Sequence, residues 1–354
     1  ILTSRYGENG VHLHSLFARF GPEDTRTLLR RFGLETKVEA EGRVFPVTDS
    51  AASVRDVLER YMAEGGVEVR RGHRVTALRV TPTAKASDTK RSDVPAGDPV
   101  GREPTGTRRI HAVVTSRSEE LTAASVLLAT GGTARPDTGS TGDAFTWLRE
   151  LGVPVRIAES ALVPLNVPDQ WVRGLQGVAL ADAQLIVEAL PKVPSAGRSL
   201  AAVDVYDESL WANARRVRTW RGKLLFTHFG LSGPLALNAA ADIRDLAQGG
   251  PIRLLVNPLP GADPAALNTA ITSAVTAAGA RSIGKFLRTV VPQRLAPTVC
   301  STADVDEGQR LATLTRQARR RIVSRATGIP CAFGGLMGSD KAVVSSGGVD
   351  PAAV

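Results

Sequence analysis

Apolar positions along the chain fall into helix-period and strand-period blocks punctuated by glycine and proline. Leu13, Leu16, Phe17 and Phe20 share one helical face, and Gly21-Pro22 opens a second helix through Leu28, Leu29 and Phe32 that Gly33 can close. Residues 42–47 read as a short strand interrupted by Pro46, which suits a sheet edge. Ser50 starts a helix with Val54, Val57, Leu58, Tyr61 and Met62 on one face, ended by Gly65-Gly66. Residues 67–69 and 75–80 are strand candidates, and 110–115 is the partner of the second. Between them, residues 81–107 are rich in Pro, Gly, Ser, Thr and Asp and predict a surface or disordered loop. The expected arrangement is a β-meander inserted in an α/β domain.

Residues 126–152, VLLATGGTARPDTGSTGDAFTWLRELG, read as a buried strand, a glycine-rich loop and a helix in succession. The run 126–129 has the uniform apolarity of a parallel strand covered on both faces. Gly131 and Gly132 then let backbone approach a ligand without Cβ interference. Beyond the second small-residue turn at 139–143, Ala144, Phe145, Leu148 and Leu151 form an apolar helical face, with Ser140 or Thr141 as N-cap candidates. Ligands of open α/β sheets bind just past such a strand, near the helix N-terminus. The same succession also occurs without a ligand, and 139–143 is neither GxGxxG nor GxxxxGK[ST], so a cofactor role and a plain structural turn both stay open.

From Pro154 the texture becomes short β-like runs at 153–157, 177–180, 185–190 and 201–205, which predict a small barrel or sandwich. Residues 223–237 form another strand, tight turn and helix, with Ser232 as N-cap candidate, Gly233-Pro234 in the first turn and His228 on the turn side of the strand. Residues 252–256 are a strand, 263–327 are helical in composition, and 342–349 run as a strand into a glycine pair.

At 354 residues, two or three domains are expected. No apolar run approaches the roughly 18 residues of a membrane span. The N-terminus, ILTSRYGENG, has no apolar signal core and begins with Ile, which makes a missing N-terminal portion an expectation to carry forward. Cys300 and Cys331 lack CxxC spacing or nearby His partners, so the expectation is a reduced, cytoplasmic chain with no metal centre. The net charge of +9 is concentrated: residues 281–330 carry ten Lys and Arg against three Asp and Glu. Arg316, Arg319, Arg320, Arg321 and Arg325 lie on an amphipathic helix with few aromatics near for base stacking, which argues against nucleic acid.

GRVFPVTDSAASV at 42–54, LLATGG and GSTGDAF within 127–145, ALVPL at 161–165, LFTHFGLSGP at 225–234 and AVVSSGGV at 342–349 resemble, in order and across nearly the whole chain, the BaiN/YhiN-type flavoproteins, also described as aminoacetone-oxidase-family FAD-binding enzymes. The resemblance implies an α/β fold: a glutathione-reductase-like FAD-binding domain (1–153, rejoined by 349–354), an inserted β-barrel domain (154–261 and 328–348) and a small helical insert (262–327). It implies an FAD-dependent oxidoreductase of a small organic molecule, with NAD(P)H as a candidate electron donor. On the matched motifs, Val75 corresponds to the strand position whose backbone meets adenine. Ala129, Thr130 and Gly131, with Gly132 beside them, correspond to the second FAD-contacting glycine motif, and Gly142-Asp143 to the loop that follows. Arg43, Phe45 and Pro46 match a signature expected near the flavin. Arg43 and His228 are the catalytic candidates, each weighed against a structural ion pair or hydrogen bond; His12, His14, His73 and His111 are read as surface or structural residues. Family members also carry a GxGxxG turn ahead of these motifs and GE-x-x-D and TGGYN motifs after them. The expectation is therefore a flavoprotein fragment, colourless and inactive by itself. The alternative is a cofactor-free chain whose basic helical segment binds anions or nucleic acid.

Overall fold

The computed structural model describes residues 10–39, 42–82, 108–157, 162–191, 203–277 and 281–350. The chain divides into two units, residues 1–129, 143–155 and 349–354 forming the first and residues 130–142 and 156–348 the second.

In the first unit, α1 (His14–Arg19) and α2 (Pro22–Arg31) precede an antiparallel hairpin of β1 (Thr36–Val38) and β2 (Val44–Pro46). The start of α2 is fixed locally. Gly21 N–H donates to Asp24 Oδ2 at 2.7 Å, Pro22 takes a first-turn position that needs no N–H, and Arg30 and Arg31 sit at the negative end of the helix dipole. Next, α3 (Ala51–Glu64) begins after the extended Ser50 and sets Val57 against Phe32 and Leu34, with the Tyr61 ring edge-on to Phe32 at 5.2 Å. This cluster is small. One fully buried side chain of this kind contributes about 1.5–3 kcal/mol, and Leu58 and Tyr61 on the same predicted face remain 44% and 47% exposed.

The expected meander is present as β3 (Val75–Pro82), β4 (Arg108–Thr115) and β5 (Glu120–Thr122), antiparallel and in that order. The predicted loop at 81–107 falls, from residue 83 on, outside the described residues. Two expected strands are corrected. Residues 67–69 form no ladder, and Val67 and Val69 are both 55% exposed. Residues 126–129 are likewise irregular, with Leu127 90% exposed. An apolar run becomes a strand only where a neighbour satisfies its N–H and C=O groups and covers its faces. Among the described residues, nothing does this for Leu127. Further on, α4 (Asp143–Glu150) follows Gly142 directly. Residues leading out of this unit form β6 (Val155–Ile157).

In the second unit the chain runs through β7 (Leu165–Asn166), α5 (Gln170–Gly174), β8 (Ala179–Ala189), α6 (Glu208–Trp211), β9 (Arg215–Thr227), β10 (Gly230–Ser232), α7 (Gly233–Gln248) and β11 (Ile252–Asn257). It continues through α8 (Pro264–Ala277), α9 (Ile283–Leu287), α10 (Ala296–Thr302), α11 (Arg316–Ala326), β12 (Ile329–Cys331) and β13 (Gly347–Val349). Six strands form one sheet in the order β12-β11-β8-β9-β10-β7. As predicted, α7 starts after Ser232, with Pro234 in its first turn, and it buries Leu235, Ala236, Ala239, Ala240 and Ile243 as one stripe. The tight turn before it depends on Gly230, at φ 148°, where a Cβ would overlap the backbone of residues 165–167. The predicted helical insert shares its core with the sheet: Ile271, Ile283, Leu287, Val299 and Ile322 belong to the same cluster as Leu185, Phe226 and Leu254. The expected run at 201–205 is not a strand where it is described.

A buried charge cluster ties these layers together. Arg253 on β11 and Arg325 on α11 are each 5% exposed. Arg253 Nε donates to Glu188 Oε2 at 2.9 Å and its Nη1 to Glu208 Oε1 at 3.3 Å, while Arg325 Nη1 donates to the same Glu208 oxygen. Trp211 lies under Arg253, 4.8 Å from guanidinium carbon to ring centroid.

Candidate functional site

In the first unit, β3 and α4 meet at a cavity of about 360 Å³ lined by Arg74, Val75, Thr76, Asp143, Thr146 and Trp147. This lies within the range of small-molecule sites, roughly 300–1,000 Å³. Two residues from separate motifs, Val75 and Asp143, are thus brought to one place. The strand geometry also turns polar backbone outward here. Ser116 N–H donates to the Arg74 carbonyl at 2.7 Å while Val75 pairs with Thr115. That pattern makes Val75–Thr115 a non-hydrogen-bonded pair, so the Val75 N–H and C=O point away from β4. On that side β3 has no ladder neighbour among the described residues. Thr76 is the extra residue of a bulge, since Val75 and Ala77 oppose the consecutive residues Thr115 and Val114.

Opposite the strand, Asp143 opens α4, and Thr146 and Trp147 follow at i+3 and i+4, the spacing that shares a helix face. Arg74 Nη2 reaches Asp143 Oδ2 at 2.8 Å. Their side chains are 64% and 30% exposed, so the pair stands at the open side of the cavity. Arg74, Thr146 and Trp147 were absent from the sequence-based candidates, although helical spacing from Asp143 and adjacency to Val75 both pointed to them.

The glycine motif belongs to the second unit from Thr130 to Gly142, whereas Ala129 ends a segment of the first. Gly131 has φ 75°, and a Cβ there would lie 2.8 Å from Ser140 Oγ. At Gly132 a Cβ would overlap Ser345. The Ser345 hydroxyl accepts from Thr133 N–H at 2.6 Å and Ala134 N–H at 2.8 Å. Both glycines therefore answer to close contacts within the chain itself.

The two catalytic candidates occupy different units. Arg43, exposed at the start of β2, has its guanidinium 3.8 Å from Glu39 and 5.9 Å from the centre of the Phe45 ring. His228, exposed in the β9–β10 turn, stands edge-on to Phe229 at 4.9 Å. The thiols offer no nucleophile: burial pushes Cys300 up to about 11 and Cys331 well above its ordinary value. Several arginines of the basic segment bond to other parts of the fold, although only Arg325 among them is buried. Arg321 donates to the Ala303 and Asp304 carbonyls, Arg294 to those of Gly174 and Gln176, Arg288 to Glu307, and Arg325 is buried against Glu208. Among the described residues, no helix is long and apolar enough to cross a membrane.

A Rossmann-type α/β assignment fits a β3–α4 cavity of this kind, and the chain belongs to the HI0933-like protein Rossmann domain family, which matches it from residue 1 to residue 354. The motif resemblance to the BaiN/YhiN-type flavoproteins is upheld at this level. Over 345 residues the chain is also 23% identical to the 3-dehydro-bile acid delta(4,6)-reductase of Clostridium scindens, an alignment covering 97% of this chain and 72% of that protein.

Proposed function

We propose that the protein is an FAD-dependent oxidoreductase acting on a small organic substrate, and that the β3–α4 cavity holds the adenosine end of its cofactor. The observation that carries this reading is the meeting of Val75 and Asp143 at one cavity with an aromatic side chain, Trp147. Adenine needs a flat apolar platform and a donor–acceptor pair along one edge. Trp147 and Val75 provide the first, and the outward N–H and C=O of Val75 the second. Asp143 supplies a carboxylate acceptor of the kind that ribose hydroxyls take. The bound flavin supplies hydride transfer at N5, and the chain supplies orientation and charge.

Within this reading, Ala129, Thr130, Gly131 and Gly132 are further cofactor-binding residues, and Arg43 and His228 are the catalytic side chains. Arg43 contributes a guanidinium fork able to hold an anionic group, and His228 an imidazole with a donor and an acceptor nitrogen. The relative from Clostridium scindens is named as a reductase, which favours electron flow from the flavin to the substrate, with NAD(P)H kept as the candidate donor. The test is titration of the purified protein with FAD, followed by flavin absorbance and fluorescence, against Trp147→Ala. Saturable binding weakened by Trp147→Ala is the expected result; binding unaffected by that change removes the cavity from the proposal.

A further inference from the structure

We infer that Arg74 is a specificity residue that exchanges its partner Asp143 for a phosphate of the ligand, so that the cavity selects adenosine phosphates over adenosine. The inference rests on the adenosine reading above and adds a residue that no matched motif assigns.

The cavity has two chemically different ends. Trp147 and Val75 form an aromatic and aliphatic end; Arg74 and Asp143 form a charged one, at the first turn of the eight-residue α4. An aromatic heterocycle fits the first, and an anion attached to it fits the second, where the helix N-terminus adds positive potential. Arg74 is built to move. Its backbone is pinned, because its carbonyl takes the Ser116 N–H at 2.7 Å. Its side chain is 64% exposed and uses one of five N–H donors in the bond to Asp143. An exposed ion pair of this kind is weak and readily exchanged. A phosphate offers more charge than the Asp143 carboxylate and a geometry that a guanidinium grips with two parallel bonds. A neutral nucleoside leaves Arg74 on Asp143, whereas a nucleotide recruits it.

The shared ligand chemistry is an adenosine phosphate, supplied either by the diphosphate of FAD or by a separate adenine nucleotide. The experiment is calorimetric titration of the 354-residue chain with adenosine and AMP, in wild type, Arg74→Met and Asp143→Asn. AMP is expected to bind roughly tenfold or more tightly than adenosine, the worth of one charge-assisted hydrogen bond. Arg74→Met, whose stem keeps the apolar contacts, should bring the two affinities within about twofold, with the loss falling mainly on AMP. Asp143→Asn, which removes the competitor for Arg74, should favour AMP further. An AMP-to-adenosine ratio untouched by Arg74→Met overturns the inference and leaves the adenosine reading standing. No binding of either compound overturns both. Competition by FAD, with the same Arg74→Met penalty, identifies FAD as the source; competition confined to AMP identifies a second nucleotide.

Discussion

Ser345 fills the space that a side chain on Gly132 would need, and its hydroxyl holds the next two backbone N–H groups, at Thr133 and Ala134. Gly132→Ala should therefore cost about 1–3 kcal/mol, the sum of two displaced hydrogen bonds, in urea unfolding followed by circular dichroism. Ser345→Gly should cost a comparable amount. The two changes touch the same contact, so the double variant is expected to cost clearly less than their sum. Strict additivity would show that the two residues do not share this space.

Tyr206 provides an alkaline test. Its hydroxyl donates to Asp169 Oδ1 and accepts from Trp171 Nε1 at 3.1 Å, while Asp169 Oδ2 takes the Ala332 N–H at 2.9 Å. Burial, then Asp169, pushes the phenol far above its ordinary 10. Above pH 10 the unfolded chain loses a proton that the folded chain keeps, so stability contributed by this group is complete below pH 10 and falls as pH rises. The slope is at most about 1.4 kcal/mol per pH unit, reduced by the partial exposure of the ring. Tyr206→Phe should flatten this limb in urea unfolding between pH 9 and 11; an unchanged slope would show that Tyr206 titrates normally.

Glu208 provides the acidic counterpart. Burial opposes its charge, but Arg325 and Arg253 outweigh burial and hold the carboxyl below its ordinary 4.5. Stability from a depressed carboxyl is complete above pH 4.5 and is lost as pH falls through the lower folded-state value. Glu208→Gln should destabilise the protein by about 1–3 kcal/mol at pH 7, because it removes the negative charge facing two buried guanidinia and turns the oxygen that accepts from Arg253 Nη2 into a donor. The difference should shrink toward pH 3. A constant difference over that range would mean that the charge of Glu208 is not what matters.

Local signals in the sequence located elements whose ends are fixed by neighbouring residues. Ser50 and Gly65 bound α3, Gly21-Pro22 and Gly33 bound α2, and Ser232 with Pro234 starts α7. The run at 126–129 could not be judged this way, since uniform apolarity states what a strand would bury and says nothing about whether a neighbour is there. Val67 and Val69 failed for the same reason. At the β3–α4 cavity, motif matching singles out Val75 and Asp143 but not Arg74 and Trp147, which join the lining through β3 packing against α4. The Arg253–Glu208–Arg325 cluster links residues far apart in sequence, and no spacing rule reaches that distance.

Leu127 turns that correction into a measurement. At 90% exposed it should tolerate Leu127→Asn with a change within about 0.5 kcal/mol, as surface positions do. A buried strand position would lose about 2–5 kcal/mol on losing its apolar side chain. Urea midpoints distinguish the two cases.

Apolar material is divided unequally between the units: a cluster around Phe32, Leu34 and Val57 in the first, and one continuous cluster from Leu165 to Cys331 in the second. In a scanning calorimeter this disparity should split the heat absorption into two endotherms, the first unit melting at the lower temperature. Since the β3–α4 cavity belongs to that unit, a nucleotide bound there should displace the lower endotherm upward by mass action and leave the upper one where it was.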